Sequence, residues 1–168
     1  MIITQMIDAI FNYLAGVNKL LAVFIVSMFP IVELRGAIPL GVGLGLDFYK
    51  VFAVSVIGNM LPIPFIIMFI RPIIEYMRKT KTFSKFANWF EQRTMDKSDK
   101  ITKYEMLGLF IFVAIPLPGT GAWTGAALAG LMNMRLKTSV PSIFFGVITA
   151  GIIMTLVSHG IFNVLFGL

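Results

Sequence analysis

The chain has 168 residues, of which 58% are hydrophobic and 13% charged, with a mean hydropathy of +0.89 and a formal net charge of +6. A soluble domain is only about 45–50% apolar, so this composition specifies an integral membrane protein, most economically a single membrane domain over 1–168. The lack of cysteine excludes disulfides, thiolate catalysis and Cys-ligated metals, and a lone His159 without a carboxylate cluster argues against a metal centre.

Residues 1–17 carry Ile2, Ile3, Met6, Ile7, Ile10, Phe11 and Leu14 at helical spacing. That length is at the short limit for a span, and the pattern favours a helix lying in the interface. The first ionisable side chain is Asp8, so no basic leader ahead of a cleavage site is expected.

Residues 18–71 form a first repeat. Leu20 to Phe29 is strongly apolar and stops at Pro30, and Gly36 to Leu46 is a second short, glycine-rich segment. Neither covers a hydrocarbon core of about 30 Å at about 1.5 Å per residue. Together they predict a re-entrant helical hairpin with its tip at Pro30–Arg35, the alternative being one span kinked at Pro30, Gly36 and Pro39. Tyr49 to Ile70, charged only at Lys50, is long enough to cross, with kinks at Pro62 and Pro64.

Residues 72–104 alternate aromatic and charged side chains, including Phe83, Phe86, Trp89 and Phe90 beside Lys85, Glu91 and Arg93. The basic residues from Arg71 to Lys103 account for most of the positive charge, and the positive-inside rule reads them as a cytoplasmic amphipathic linker rather than a nucleic-acid surface.

Residues 105–158 repeat the first pattern. Met106 to Ile115 ends at Pro116, Ala122 to Met134 is small and Gly/Ala-rich, and Thr138 to Val157 crosses; residues 159–168 form a short apolar tail. An offset of 86 lays Pro30 on Pro116, Gly41 on Ala127 and Asp47 on Asn133, and an offset of 88 lays Gly58 on Gly146. A hairpin returns to its own side while the following span crosses, so the second copy must enter from the opposite face. The expected fold is all-α and integral to the membrane: an inverted-topology repeat of re-entrant hairpin plus transmembrane helix, flanked by interfacial amphipathic helices.

Broken helices inside a membrane are tolerated only where protein or a water-filled cavity receives the freed backbone groups, so the breaks at Pro30–Pro39 and Pro116–Gly121 mark a site. Glu33 and Arg35 are the only charges between Lys19 and Asp47, and intramembrane ionisable residues are costly. They would point apart on a helix but together on an unwound strand, where Arg35 could anchor an anionic group and Glu33 carry a proton or sodium ion, or the two could form a structural ion pair. At the second break, Pro116 and Pro118 remove amide donors, Gly119 and Gly121 permit close approach, and Thr120 or Thr124 could supply hydroxyls where a helix begins, or the segment could be a turn that merely packs closely. Trp123 is expected to plug a cavity, and Asn59 to hydrogen-bond a hairpin tip, with direct substrate contact the less favoured role. No nucleotide loop, catalytic triad or paired carboxylates occur, so no enzyme activity and no cofactor beyond a coupling ion are expected.

The runs Glu33-Leu-Arg-Gly-Ala-Ile-Pro39-Leu-Gly41 and Pro116-Leu-Pro-Gly-Thr-Gly-Ala-Trp-Thr-Gly125 resemble the small multidrug export family of bacterial and archaeal membrane proteins. Phe112-Val-Ala-Ile-Pro116 with Ala129-Gly130 is more distantly similar to the second motif of the DedA proteins, which are implicated in moving lipid and polyprenyl phosphates. That resemblance implies that Glu33 matches their essential acidic residue, but the arginines they carry near the second motif have no counterpart here. The expected function is transport of a small amphipathic or anionic substrate in a prokaryotic cell membrane, with a non-transporting scaffold as the alternative and homo-oligomerisation left open.

Overall fold

The structure is a computed structural model that describes residues 16, 18–80, 83–96, 105–117 and 119–166. The expected interfacial helix of residues 1–17 falls outside these apart from Gly16, and Pro118 also falls outside.

Every regular element among the described residues is an α-helix. In chain order they are α1 (Lys19–Ser27), α2 (Glu33–Gly43), α3 (Phe48–Met60), α4 (Ile63–Lys79), α5 (Ser84–Met95), α6 (Glu105–Ala114), α7 (Ala122–Leu131) and α8 (Leu136–Phe166). Short polar side chains start two of them. Asn18 Oδ1 accepts from the amides of Leu20 and Leu21 at the head of α1, and Asp47 Oδ1 accepts from Lys50 N at the head of α3. The segments Phe48–Lys79, of 32 residues, and Leu136–Val157, of 22 residues, are long and apolar enough to cross a membrane. Ile57, Leu61, Phe65, Phe69 and Ile73 form an exposed apolar stripe along the first, as Phe145, Ile152 and Leu156 do on the second. An uninterrupted apolar exterior of this length suits lipid rather than water.

The helices gather into two compact units, one holding the chain up to Leu61 together with Val147 onward, the other Pro62–Gly146. In the first unit α1, α2 and α3 pack pairwise. Gly151 of α8 joins them, because a Cβ there would lie 2.9 Å from Leu34 Cδ1 and 2.7 Å from a Phe52 ring carbon. In the second unit α4 packs on α5 and α7, α5 on α7, and α6 on α7.

Three local geometries occur once in each unit at an offset of 86 to 88. Left-handed backbone follows each proline break, at Glu33 (φ 50°) and at Gly119 (φ 78°). Both following helices end in the same cap: Leu46 N–H reaches Gly41 O and Gly45 N–H reaches Val42 O behind α2, while Met134 N–H reaches Ala129 O and Asn133 N–H reaches Gly130 O behind α7. These are Schellman motifs, whose left-handed residue is Gly45 (φ 72°) in one and Asn133 (φ 56°) in the other. Finally, Gly58 lets α3 approach α1 so closely that a Cβ would lie 2.6 Å from Phe24 O, and Gly146 does the same against α6, 3.0 Å from Phe110 O. Phe24 and Phe110 are themselves 86 positions apart.

Several boundaries differ from the sequence expectation. Helical bonding resumes directly after the Pro30 turn, with Glu33 N–H on Phe29 O at 2.9 Å and Gly36 N–H on Val32 O at 3.0 Å, so α2 begins at Glu33 instead of Gly36. Glu33 and Arg35 therefore occupy a first helical turn and not an unwound strand. Pro39 lies inside α2 without ending it. Arg71 to Lys79 continues α4, and α8 runs to Phe166, beyond the start of the expected tail.

Candidate functional site

α1 ends where its last amides turn tightly: Met28 N–H donates to Ile25 O and Phe29 N–H to Val26 O, and Pro30 follows, exposed. The chain re-enters a helix through Glu33, whose side chain is buried, only 4% exposed. Left-handed backbone costs a non-glycine residue roughly 1–3 kcal/mol and persists only where the surroundings impose it. Glu33 thus combines a strained backbone with a buried carboxyl. Its electrostatic partner is Arg35, half-buried two positions on, so the two attract one another across the first turn of α2. Pro39 provides no amide for the Arg35 carbonyl, which weakens the α2 hydrogen-bond ladder beside the same residue.

α3 contributes Asn59. The Gly58 crossing brings this part of α3 to the end of α1, against Phe24 O and the Ser27 hydroxyl, where the first break starts. The expected hydrogen bond from Asn59 to a hairpin tip is not made. Asn59 is fully buried, and neither Oδ1 nor Nδ2 has a hydrogen-bond partner among the described residues. One turn earlier on the same face, Ser55 is also fully buried with its hydroxyl unpartnered. Buried Ser27, Ser139 and Ser142 instead donate to carbonyls three or four residues back, as buried hydroxyls in helices ordinarily do. Ser55 was not singled out from the sequence, since a serine inside an apolar run carries no signal of which face it occupies.

The second break is neutral and self-contained. Thr120 Oγ1 accepts from Leu117 N at 3.2 Å and lies 2.8 Å from both Ile115 O and Leu117 O, so the hydroxyl ties the break to itself. Gly121, in extended backbone, caps α7 without a side-chain bond, which leaves the positive end of that helix at the break, as expected from the sequence. Thr124 and Trp123 follow in its first turn, both half-buried. Pro30, Glu33, Arg35, Pro39 and Asn59 belong to the first unit, and Pro116, Gly119, Thr120, Gly121 and Thr124 to the second.

The arrangement is polar within and apolar without: a buried carboxyl, amide and hydroxyl enclosed by helices whose outer faces are hydrocarbon. That is the construction of a helical membrane protein of the transporter class. The chain belongs to the family described as Putative small multi-drug export protein, which it matches over residues 33–153, a stretch that starts inside the first break at Glu33 and takes in the whole of the second. None of the curated proteins and none of the solved structures matches it.

Proposed function

We propose that this exporter-family protein moves a small amphipathic or anionic substrate across the bilayer by alternating access, with Glu33 exchanging a coupling proton or sodium ion and Arg35 engaging the anionic group. Lipid phosphates, polyprenyl phosphates and drugs are the candidate substrates. The observation that carries this reading is the pairing of Glu33 with Gly119. The same left-handed turn is filled by glycine in one break and by a buried, strained glutamate in the other, although glycine would hold the turn without strain. A side chain kept at that cost is expected to do chemistry. The repeated cap and crossing geometries support two copies of one hairpin-plus-span unit, inserted with opposite orientation in a prokaryotic cell membrane with residues 72–104 on the cytoplasmic side.

Reconstitution tests the reading. In proteoliposomes, Glu33→Gln and Arg35→Ala are each expected to abolish substrate flux while the protein still elutes and melts as a folded species. Unchanged flux in both would overturn it.

A scaffold role has one supporting observation. α5 buries Ala87 and Thr94 while exposing Phe86 and Trp89, with Arg93 stacked over the Trp89 ring, a surface suited to anionic lipid. Absence of flux across a broad lipid and drug panel would favour that role.

A further inference from the structure

We propose that Ser55 and Asn59 of α3, together with Glu33 of α2, form a buried site for a dehydrated monovalent cation, sodium in the first instance. The assignment deepens the coupled-transport reading and rests on it for the use made of the ion.

Register brings these residues together. α2 and α3 are joined through residues 44–47 and pack on one another, so they run antiparallel. The contact that fixes their register is Gly41 against Val51, where a Cβ on Gly41 would meet the Val51 methyls at 2.7 and 2.8 Å. In an antiparallel pair each turn forward on one helix matches a turn back on the other. One turn along, Ser55 is level with Ala37; two turns along, Asn59 is level with Glu33. Val51, Ser55, Asn59 and Ala37 are all fully enclosed, and Glu33 nearly so.

The chemistry of the groups selects the ligand. Buried amides and hydroxyls without partners are rare, and two on one helical face, a turn apart, constitute a polar strip that no side chain among the described residues satisfies. A proton alone would need only the carboxyl and would leave the strip unexplained. An anion would meet the Glu33 carboxylate. A small hard cation takes oxygen ligands of just these kinds, carboxylate, amide carbonyl and hydroxyl. α1, whose C-terminal end lies beside Gly58, adds the negative end of its dipole. Arg35, the electrostatic partner of Glu33, balances the carboxylate from within the first turn of α2.

Binding of radiolabelled sodium to the purified full chain in nanodiscs, at alkaline pH with choline as the balancing cation, tests the site. Saturable binding is expected for the wild type, weakened at least about tenfold, or roughly 1.4 kcal/mol, in Ser55→Ala and in Asn59→Leu. Asn59→Leu removes the unpartnered amide in nearly the same volume, so the variant is expected to melt no lower than the wild type in sodium-free buffer while failing to gain stability on sodium addition. Absence of saturable sodium binding by the wild type, or equal binding by both variants, overturns the site. Flux without sodium binding overturns the site and leaves the transport reading standing, whereas sodium binding without flux upholds the site and overturns that reading.

Discussion

Glu33 and Gly119, 86 positions apart, hold the same left-handed backbone at the same point of two successive helix breaks. The glycine shows what the turn requires, and the glutamate shows what the first break adds to it. Backbone strain and side-chain chemistry can therefore be separated at position 33. Glu33→Ala keeps the strain and loses the carboxyl; Glu33→Gly loses both. Both are expected to stop flux, but the alanine variant should be less stable than the glycine variant by about 1–2 kcal/mol. Thermal melts in nanodiscs check the ordering, and equal melting temperatures would contradict it.

The glycine crossings are predicted to be unequal in their tolerance. Ala at position 58 would drive a methyl to 2.6 Å from the Phe24 carbonyl, and Ala at 146 to 3.0 Å from that of Phe110. Backbone cannot step aside as a side chain can, so overpacking of about 1–3 kcal/mol is expected, larger for Gly58→Ala than for Gly146→Ala. Adding Ser27→Ala should not rescue Gly58→Ala, because the carbonyl stays where it is. Denaturation monitored by tryptophan fluorescence gives the comparison.

The caps behind α2 and α7 should be interchangeable in part. Gly45→Asn and Asn133→Gly each place a residue tolerant of left-handed backbone in a Schellman position, and are expected to cost only tenths of a kcal/mol apart from the lost Arg71–Asn133 hydrogen bond. Gly45→Val and Asn133→Val should each cost more than 1 kcal/mol, since a β-branched side chain resists positive φ. Melting temperatures that fail to separate the two pairs would dismiss the motif as a determinant of stability.

Thr120 is predicted to be a structural clasp. Thr120→Val keeps the shape and deletes the hydroxyl that bridges Leu117 N to the carbonyls of the break, for a loss of about 1–2 kcal/mol. Thr120→Ser should restore most of it. A valine variant as stable as the wild type would free Thr120 for a substrate role.

The inverted orientation has its own test, favoured by a chain with no cysteine. Single cysteines at Asp47 and Arg135, 88 positions apart and immediately before α3 and α8, should react with an impermeant maleimide from opposite sides of the membrane. Labelling of both from one side would exclude opposed insertion.

Much of the architecture was legible because its signals are local. Pro30 and Pro116 stop apolar runs wherever those runs end up in space, and the offset of 86 needs no knowledge of packing. What stayed hidden depended on neighbours. No capping side chain marks the start of α2, since Val32 stands at its head, so nothing in the sequence told that Glu33 opens a helix in left-handed backbone. Arg71 to Lys79 has the composition of a linker, since charge ordinarily marks the end of a span, yet a helix can leave the hydrocarbon and continue. Ser55 and Asn59 differ from Ser139 and Ser142 only in what surrounds them, and the missing partner is a tertiary fact. The sequence leaves Thr120 either a hydroxyl offered outward or a place in a close-packed turn, and the backbone of its own turn engages it.

The length of α2 carries a final consequence. On the proposed reading its C-terminal end, where Lys19 Nζ donates to the exposed Leu44 carbonyl at 3.4 Å, stands at the membrane surface. Glu33 lies at the other end of 11 residues, about 15 Å away along the axis, which is half of a hydrocarbon core of about 30 Å. On the proposed reading, an ion reaching Glu33 from either face crosses about half of the transmembrane voltage, so its affinity should shift by about 1.1 kcal/mol for every 100 mV. The membrane potential then becomes a direct input to the occupancy of the site, and the number of turns in one short helix sets how strongly it is felt.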